Sequence, residues 1–345
     1  MPKKIIPEDN LSGQYEIVKA LLNPRAYDEG VDEVSLIQTH ISLVFLAGEF
    51  VYKIKKPVNF GFLDFTTLEK RRFYCEKEVE LNRRLCGDMY IGVVTINRSN
   101  IIKINGKGEV IEYAVKMRRM PEDRMMKKLL DKGEVNEELI NNTAEIIAEF
   151  HSRAETDKNV SSFGSIDVIR ANWKENFEQT REFINRTIGS KEFKQIREKT
   201  ESFMEEQRQL FEERVINNRI RDCHGDIHTS NIFISDRIYI FDAIEFNERF
   251  RYSDVTADLA FLAMDLDFNG RIDLSNLLVE KYEMYSGDKD LSELLTFYKC
   301  YRAYVRGKVT SFLLNDSNID SKERSEIIQE AKRYFELALT YTERF

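Results

Sequence analysis

The stretch RDCHGDIHTSNIFI, residues 221–234, gathers His224, Asp226, His228 and Asn231 within eight positions, and Asp242 closes the hairpin that follows it. Three readings compete for such a loop. His224, Asp226 and His228 carry ligand-type side chains, as in a hydrolytic metal centre. A binuclear centre would need further ligands, and the remaining histidines, His40 and His151, sit in no similar cluster. His151 in AEFHSRA reads as an ordinary histidine near a helix C-terminus, where the dipole favours it. The second reading is phosphoryl transfer, which asks for a carboxylate to take the acceptor's proton and oxygen ligands for a metal ion that neutralises phosphate charge. The Asp226-to-Asn231 spacing equals that of the kinase catalytic loop H-R-D-x-x-x-x-N, and an asparagine with an aspartate suits a hard cation such as Mg²⁺. The third is a polar turn between two buried strands.

A second constellation lies in FVYKIKK, where a strand period puts Val51, Lys53 and Lys55 on one face and Tyr52 and Ile54 on the other. Glu78 falls within or beside the inward stripe of the helix that follows, where a carboxylate is costly unless paired. A Lys53–Glu78 ion pair would account for both residues and aim the lysine at ATP phosphates, with Lys55 an alternative to Lys53. There is no G-x-G-x-x-G and no Walker A loop, and RGKVT at 306–310 lacks the leading glycine. The turn THIS would then cover phosphates with backbone N–H groups and the hydroxyls of Thr39 and Ser42.

The elements around these residues change character along the chain. A short helix is expected at 11–22, then antiparallel strands near 33–38, 41–46 and 50–56, with turns at THIS and AGE. Thr66 and Glu69 in TTLE form a capping box for the next helix, whose stripe runs through Leu68, Cys75, Val79 and Leu85. Strands YIGVVTI and VIEYAVKMR complete a five-stranded lobe by about residue 120. From there the period is 3.6, with Leu139, Thr143, Ile146, Ile147 and Phe150 on one helix face, and helices continue through 170–218 and from about 254 onward. Strands first and helices second predict an α+β protein: an N-lobe at 1–120 and a helical C-lobe at 121–345 carrying the loop 224–231 and Asp242.

Composition narrows the classes. With 52 basic against 60 acidic residues and a net charge of −8, the chain has no general attraction to nucleic acid. Cys75, Cys86, Cys223 and Cys300 form no CxxC and read as reduced, buried thiols. No apolar run reaches membrane length and the first residues lack a signal-peptide core, so a soluble cytoplasmic protein is expected.

Assembled, these residues resemble the aminoglycoside phosphotransferase-like branch of the protein-kinase-like superfamily, whose H-G-D-x-x-x-x-N pattern HGDIHTSNIFI matches. The similarity is closest to a bacterial subfamily of undefined substrate. It is carried by THISLVFLAGEFVYKIKKPVNFGFLDFTTLEKRRFYCEKEVELNRRL, YIGVV, EYAVKMRRMP and YSDVTADLAFLAMDLDF, and covers most of residues 11–270. The resemblance implies a bilobal fold, with ATP or GTP and Mg²⁺ as cofactors. By position Asp226 would be the base, Asn231 and Asp242 the metal ligands, and Lys53, paired with Glu78, the contact to α- and β-phosphates. Val51 would line the adenine pocket and the backbone of Met117–Met120 would read adenine. Asp258 would brace the catalytic loop, with His224 and His228 as structural supports. Some relatives carry a further P-loop kinase domain; without a Walker A, that half is expected to be absent here.

The acceptor is not implied. A polycationic aminoglycoside would want an acidic groove, yet the helices at 170–218 and 271–345 mix glutamates with comparable lysines and arginines. Glu245 either touches the acceptor or closes the loop. The expected activity is phosphorylation of a hydroxyl on a small molecule. Its rivals are a protein kinase, for which FDAIEFNERFRYSDV is too short to hold an activation segment, and a nucleotide-binding protein without catalysis. No motif encodes the oligomeric state.

Overall fold

The computed structural model describes residues 14–316 and 319–345. The chain forms two compact units: residues up to Arg124 together with Tyr239–Glu248, and Met125–Ile238 together with Arg249–Phe345. The expected division near 120 is close to the first crossing. The segment around Asp242, however, groups with the first unit and not with the helical one.

In the first unit, α1 (Tyr15–Leu21) precedes three strands, β1 (Val34–Gln38), β2 (Ser42–Ala47) and β3 (Phe50–Lys55). The expected start of α1 at residues 11–13 lies outside the described residues. Helix α2 (Leu68–Cys86) follows, then β4 (Tyr90–Arg98), β5 (Ile102–Ile104) and β6 (Glu109–Arg118). The strands form one sheet in the order β1-β2-β3-β6-β4-β5 with antiparallel neighbours. The short β5 makes six strands where five were expected. At the β2–β3 hairpin Ala47 faces Phe50 across two residues, and Gly48 adopts φ 58°, the left-handed geometry such turns need.

Alternation along β3 decides what each sheet face carries. Tyr52 and Ile54 enter a core with Leu43, Phe45 and Leu21, each burial contributing roughly 1.5–3 kcal/mol. The residues that alternate with them, Lys53 and Lys55, meet α2 on the opposite face. The cap of α2 differs from the expected Thr66–Glu69 box: Thr67 is the N-cap and accepts the Lys70 N–H, while Thr66 is bonded to Asp64. Its buried positions include Arg71, Cys75, Glu78, Val79 and Asn82; Leu68 and Leu85 are only half-buried.

The second unit holds α3 (Met126–Asp131), α4 (Glu137–Arg153), α5 (Lys158–Ser162), α6 (Ile166–Thr180), α7 (Ser190–Glu206) and α8 (Arg208–Ile216). Strands β7 (Ile220–Asp222) and β8 (Ile232–Ile234) flank the HGDIHTSN loop, and β9 (Ile238–Ile240) returns the chain to the first unit. After α9 (Glu248–Arg251), β10 (Tyr252–Asp254) pairs with β7 and leads into α10 (Val255–Phe268), α11 (Ile272–Ser286), α12 (Leu291–Phe312) and α13 (Ser321–Thr342). The buried face of α4 runs through Ile140, Thr143, Ala144 and Ile147, a small rotation from the expected stripe that leaves Leu139 and Ile146 half-buried. Trp173 anchors the core, stacked on Phe177 at 5.2 Å and packed among Phe297, Tyr304 and Phe335. All four cysteines are buried and none forms a disulfide. Among the described residues no helix is long and apolar enough to cross a membrane.

Candidate active site

In the first unit Glu78 is fully buried and receives two ammonium groups, Lys53 at 2.9 Å on one oxygen and Lys55 at 2.7 Å on the other. Both candidate lysines thus meet the glutamate. They differ in what else they touch. Lys53 keeps 15% exposure and lies 2.6 Å from Asp242 Oδ1, whereas Lys55 is 1% exposed, lies over the Phe65 ring and pairs with Glu245. Only Lys53 retains solvent access through which a phosphate could arrive. Burial opposes charge on Glu78, but the two ammonium groups outweigh it and hold its carboxyl well below the usual range. Burial opposes both ammonium charges as well. Asp242 and Glu78 outweigh it at Lys53, and Glu245 and Glu78 at Lys55, so both lysines are raised and stay charged. Glu245 is pushed up by burial. It is buried and bound to Lys55.

Asp242 itself has φ 65°, one of the few non-glycine residues here in the left-handed region. Such a residue costs on the order of 1–3 kcal/mol and persists where the surroundings over-determine it. Its side chain remains 40% exposed, so the carboxylate is open to a further ligand.

The turn at Thr39–Ser42 departs from expectation. The Thr39 hydroxyl is used inside the turn, accepting the Ser42 N–H at 2.9 Å, and the Ser42 hydroxyl is buried with no hydrogen-bond partner. Val51 is half-buried and in register with Met117 at the end of β6. Beyond it the Arg119 N–H donates to Glu49 O at 2.8 Å and Met120 is buried. Of the expected adenine-reading segment, that N–H is therefore already engaged.

In the second unit the loop is built around Asp258, fully buried in the first turn of α10. Its carboxylate accepts the backbone N–H of His224 at 2.9 Å and of Gly225 at 2.8 Å, and meets His151 Nε2 at 3.1 Å. Burial opposes the charge, but the His151 hydrogen bond and the nearby His224 and Arg302 hold this carboxyl far below its usual range. Gly225 sits at φ 89°, a geometry that disfavours any side chain. From α12, Arg302 donates to Gly225 O at 3.0 Å and Ala257 O at 2.9 Å. The loop is thereby held from both its N–H and its C=O sides.

Asp226 emerges half-buried from this frame. Burial disfavours its charge, but His228 and Arg306 nearby lower the carboxyl below the usual range, so it is ionised at neutral pH. Asn231 donates to Asp226 Oδ2 at 2.9 Å and to Asp226 O at 3.1 Å, which leaves the amide oxygen for another ligand. His224 Nδ1 accepts the Asp226 N–H and His228 Nδ1 accepts the Ser230 N–H, both at 3.3 Å. Thr229 is fixed to Asp265 through both its N–H and its hydroxyl.

The metal-hydrolase reading fails on this geometry. His228 Nε2 stands 3.5 Å from Asp226 Oδ2, but His224 does not complete a three-ligand cluster with them; among the described residues the set whose ligand atoms lie within 4.8 Å of one another is His151, Cys223 and Asp258. There burial pushes the Cys223 thiol well up, so the sulfur stays protonated, and the Asp258 oxygens already serve N–H donors. That set is a hydrogen-bonded brace. His151 is correspondingly no ordinary helix-end histidine, being buried with Nδ1 2.8 Å from the Tyr282 hydroxyl. His151, Arg302 and Asn82 were missed by sequence reasoning. Only Asn82, one helical turn after Glu78, left a signal that could have been read.

No protein-family model matches the chain. Uncharacterized proteins of Mycobacterium tuberculosis and Mycobacterium bovis are 33% identical over 277 residues, 80% of this chain. The chain spans about half of their length, 54%. Among solved structures, a choline/ethanolamine kinase family protein from Mesorhizobium loti superposes with TM-score 0.50 at 13% identity, covering 95% of this chain and 98% of that one. A candidate aminoglycoside phosphotransferase from Ralstonia eutropha gives TM-score 0.50 at 12% identity, over 93% and 95%. The fold is protein-kinase-like. Within the protein-kinase-like fold, the antiparallel sheet with α2 and the larger helical unit are the α+β architecture that the order of strands and helices predicts.

Proposed function

We propose that the protein is an ATP- and Mg²⁺-dependent phosphotransferase acting on a hydroxyl of a small-molecule acceptor. The observation that carries the reading is Lys53, charged and partly exposed, held between buried Glu78 and exposed Asp242 in a protein-kinase-like sheet. An ammonium fixed in this way is suited to neutralise phosphate oxygens. The second unit offers Asp226, ionised and oriented by Asn231 and the Asp258 frame, as the group that takes the acceptor's hydroxyl proton. Asn231 and Asp242 each offer a hard oxygen ligand of the kind Mg²⁺ prefers. Bound Mg²⁺ would neutralise charge on the transferring phosphate.

The similarity to a choline/ethanolamine kinase family protein and to a candidate aminoglycoside phosphotransferase supports a small acceptor over a protein. So does the short stretch from Asp242 to β10, which holds one turn of helix and no extended substrate-docking segment. The test is a panel of hydroxylated metabolites, amino alcohols and aminoglycosides assayed for ATP-dependent phosphorylation, with Asp226→Asn as control. Turnover of a panel member that Asp226→Asn abolishes, while Mg·ATP still binds, is the expected result. Turnover untouched by Asp226→Asn would remove the base assignment, and absence of Mg·ATP binding by calorimetry would remove the kinase reading.

A further inference from the structure

Three contacts tie the Asp242 segment to one stripe of α2. Cys86 Sγ lies 2.8 Å from Ile240 O, Asn82 Oδ1 accepts the Ala243 N–H at 2.9 Å, and Glu78 shares Lys55 with Glu245. Glu78, Asn82 and Cys86 are spaced by four and lie on one helix face. The segment runs antiparallel to that stripe, so that Ile240, Ala243 and Glu245 meet Cys86, Asn82 and Glu78 in turn. Asn82 also donates to Glu78 O at 2.8 Å, which orients its amide and leaves the oxygen for Ala243. Asp242 lies inside this tethered run, in a backbone conformation that isolated residues avoid.

We propose that the Glu78–Asn82–Cys86 stripe, with Lys55 and Glu245, positions Asp242 for metal binding, so that Asn82 and Glu245 are positioning residues of the reaction proposed above. The tether on either side of Asp242 supplies the over-determination that a left-handed aspartate needs. It also explains why β3 carries two lysines: Lys53 meets the ligand side of Asp242, while Lys55, sealed from solvent, holds the segment. Groups behind a metal ligand commonly govern affinity as strongly as the ligand's own geometry. The role differs from that of an acceptor contact, since Glu245 and Asn82 are buried and face the protein.

The test uses the full chain and Asn82→Leu, which removes both amide hydrogen bonds at similar volume, and Glu245→Gln, which removes the charge at constant shape. Arg71→Met is the control: it breaks another buried pair of α2, Arg71–Glu112, two helical turns before Glu78. Mn²⁺ affinity of the ATP-bound protein is read by electron paramagnetic resonance, and hydrogen exchange of amides 240–246 is read without nucleotide. The expected result is Mn²⁺ binding weakened on the order of tenfold or more in both stripe variants, with faster exchange across 240–246. ATP affinity without metal stays within about twofold of the parent, since binding through Lys53 is retained. Arg71→Met, though destabilised, keeps the parent Mn²⁺ affinity. Parent-like Mn²⁺ affinity in the stripe variants overturns the proposal, as does an equal loss in Arg71→Met. If the parent bound neither ATP nor Mn²⁺, the kinase reading would fall. The exchange arm would then still judge the tether, with unchanged protection at 240–246 refuting it.

Discussion

Asp258→Asn is the substitution from which the frame of the HGD loop can be measured. The carboxylate is fully buried and receives two backbone N–H donors at 2.9 and 2.8 Å and the His151 ring at 3.1 Å. Hydrogen bonds to a charged group contribute roughly 1.5–3 kcal/mol each. Asparagine keeps one oxygen, which can hold one backbone N–H as a neutral bond worth about 1 kcal/mol. Its amide nitrogen then faces the other backbone donor, leaving buried N–H groups unsatisfied at a cost of about 1–3 kcal/mol. The net loss should be about 3 kcal/mol, more than a hundredfold in the unfolding equilibrium. Urea unfolding would measure it, and hydrogen exchange should show the His224 and Gly225 amides losing protection ahead of the rest of the second unit. The pH dependence has a definite sign. The folded carboxyl is held below its unfolded value near 3.9, so its contribution is complete above that pH and is lost as pH falls toward the folded value. The parent should therefore lose stability below about pH 4 more steeply than Asp258→Asn does. A loss under about 1 kcal/mol with unchanged protection of the two amides would refute the reasoning.

Three further outcomes follow from the same contacts. Lys53→Met should raise the KM for ATP and cost less stability than Lys55→Met, because it strands only half of Glu78, whereas Lys55→Met should leave that KM near the parent's and cost about 3–5 kcal/mol by stranding Glu245 and the other half of Glu78 in the interior; equal stability loss in both would contradict the division of labour. Ser42→Ala should change neither nucleotide affinity by calorimetry nor stability by more than about 0.5 kcal/mol, because it deletes a buried hydroxyl without a partner. Gly307→Ala should be net destabilising by about 1 kcal/mol in urea, since its new Cβ would stand 2.9 Å from the Phe335 ring, and overpacking outweighs the gain in helix propensity; a stabilised variant would show that the ring can yield.

How far these features were legible depended on whether the physics was local. The β3 alternation of Tyr52 and Ile54 against Lys53 and Lys55 follows from strand geometry alone, and so does the need of Glu78 for a cation. Asp226, Asn231 and Asp242 could be picked out because their spacing is short and their chemistry specific. The helix start at Thr67 was misread by one residue because two adjacent threonines compete for the cap and only packing separates them. The bonding of the Thr39 hydroxyl inside its turn was not legible in the sequence for a similar reason: which way the turn's side chains bond is set by the strands beneath. His151 and Arg302 lie far along the chain from the loop they support, Asp258 standing 107 residues from His151. No periodicity or motif connects them. Glu245 was visible as a carboxylate but not as a buried one, since its burial comes from Lys55, 190 residues earlier.

The charge balance around Lys53 has a consequence for the order of ligand binding. Two ammonium groups face three carboxylates, those of Glu78, Asp242 and Glu245. Under the proposed function, a divalent ion engaging Asp242 would compete for the oxygen now bound by Lys53 and free that side of the ammonium, still paired with Glu78, for a phosphate oxygen. Loading a metal would in this way open an ammonium donor for the phosphate that follows it. Such an exchange would make metal and nucleotide each strengthen the other's binding by the same factor. Titrations run in both orders should return one coupling constant, and the coupling should vanish in Lys53→Met.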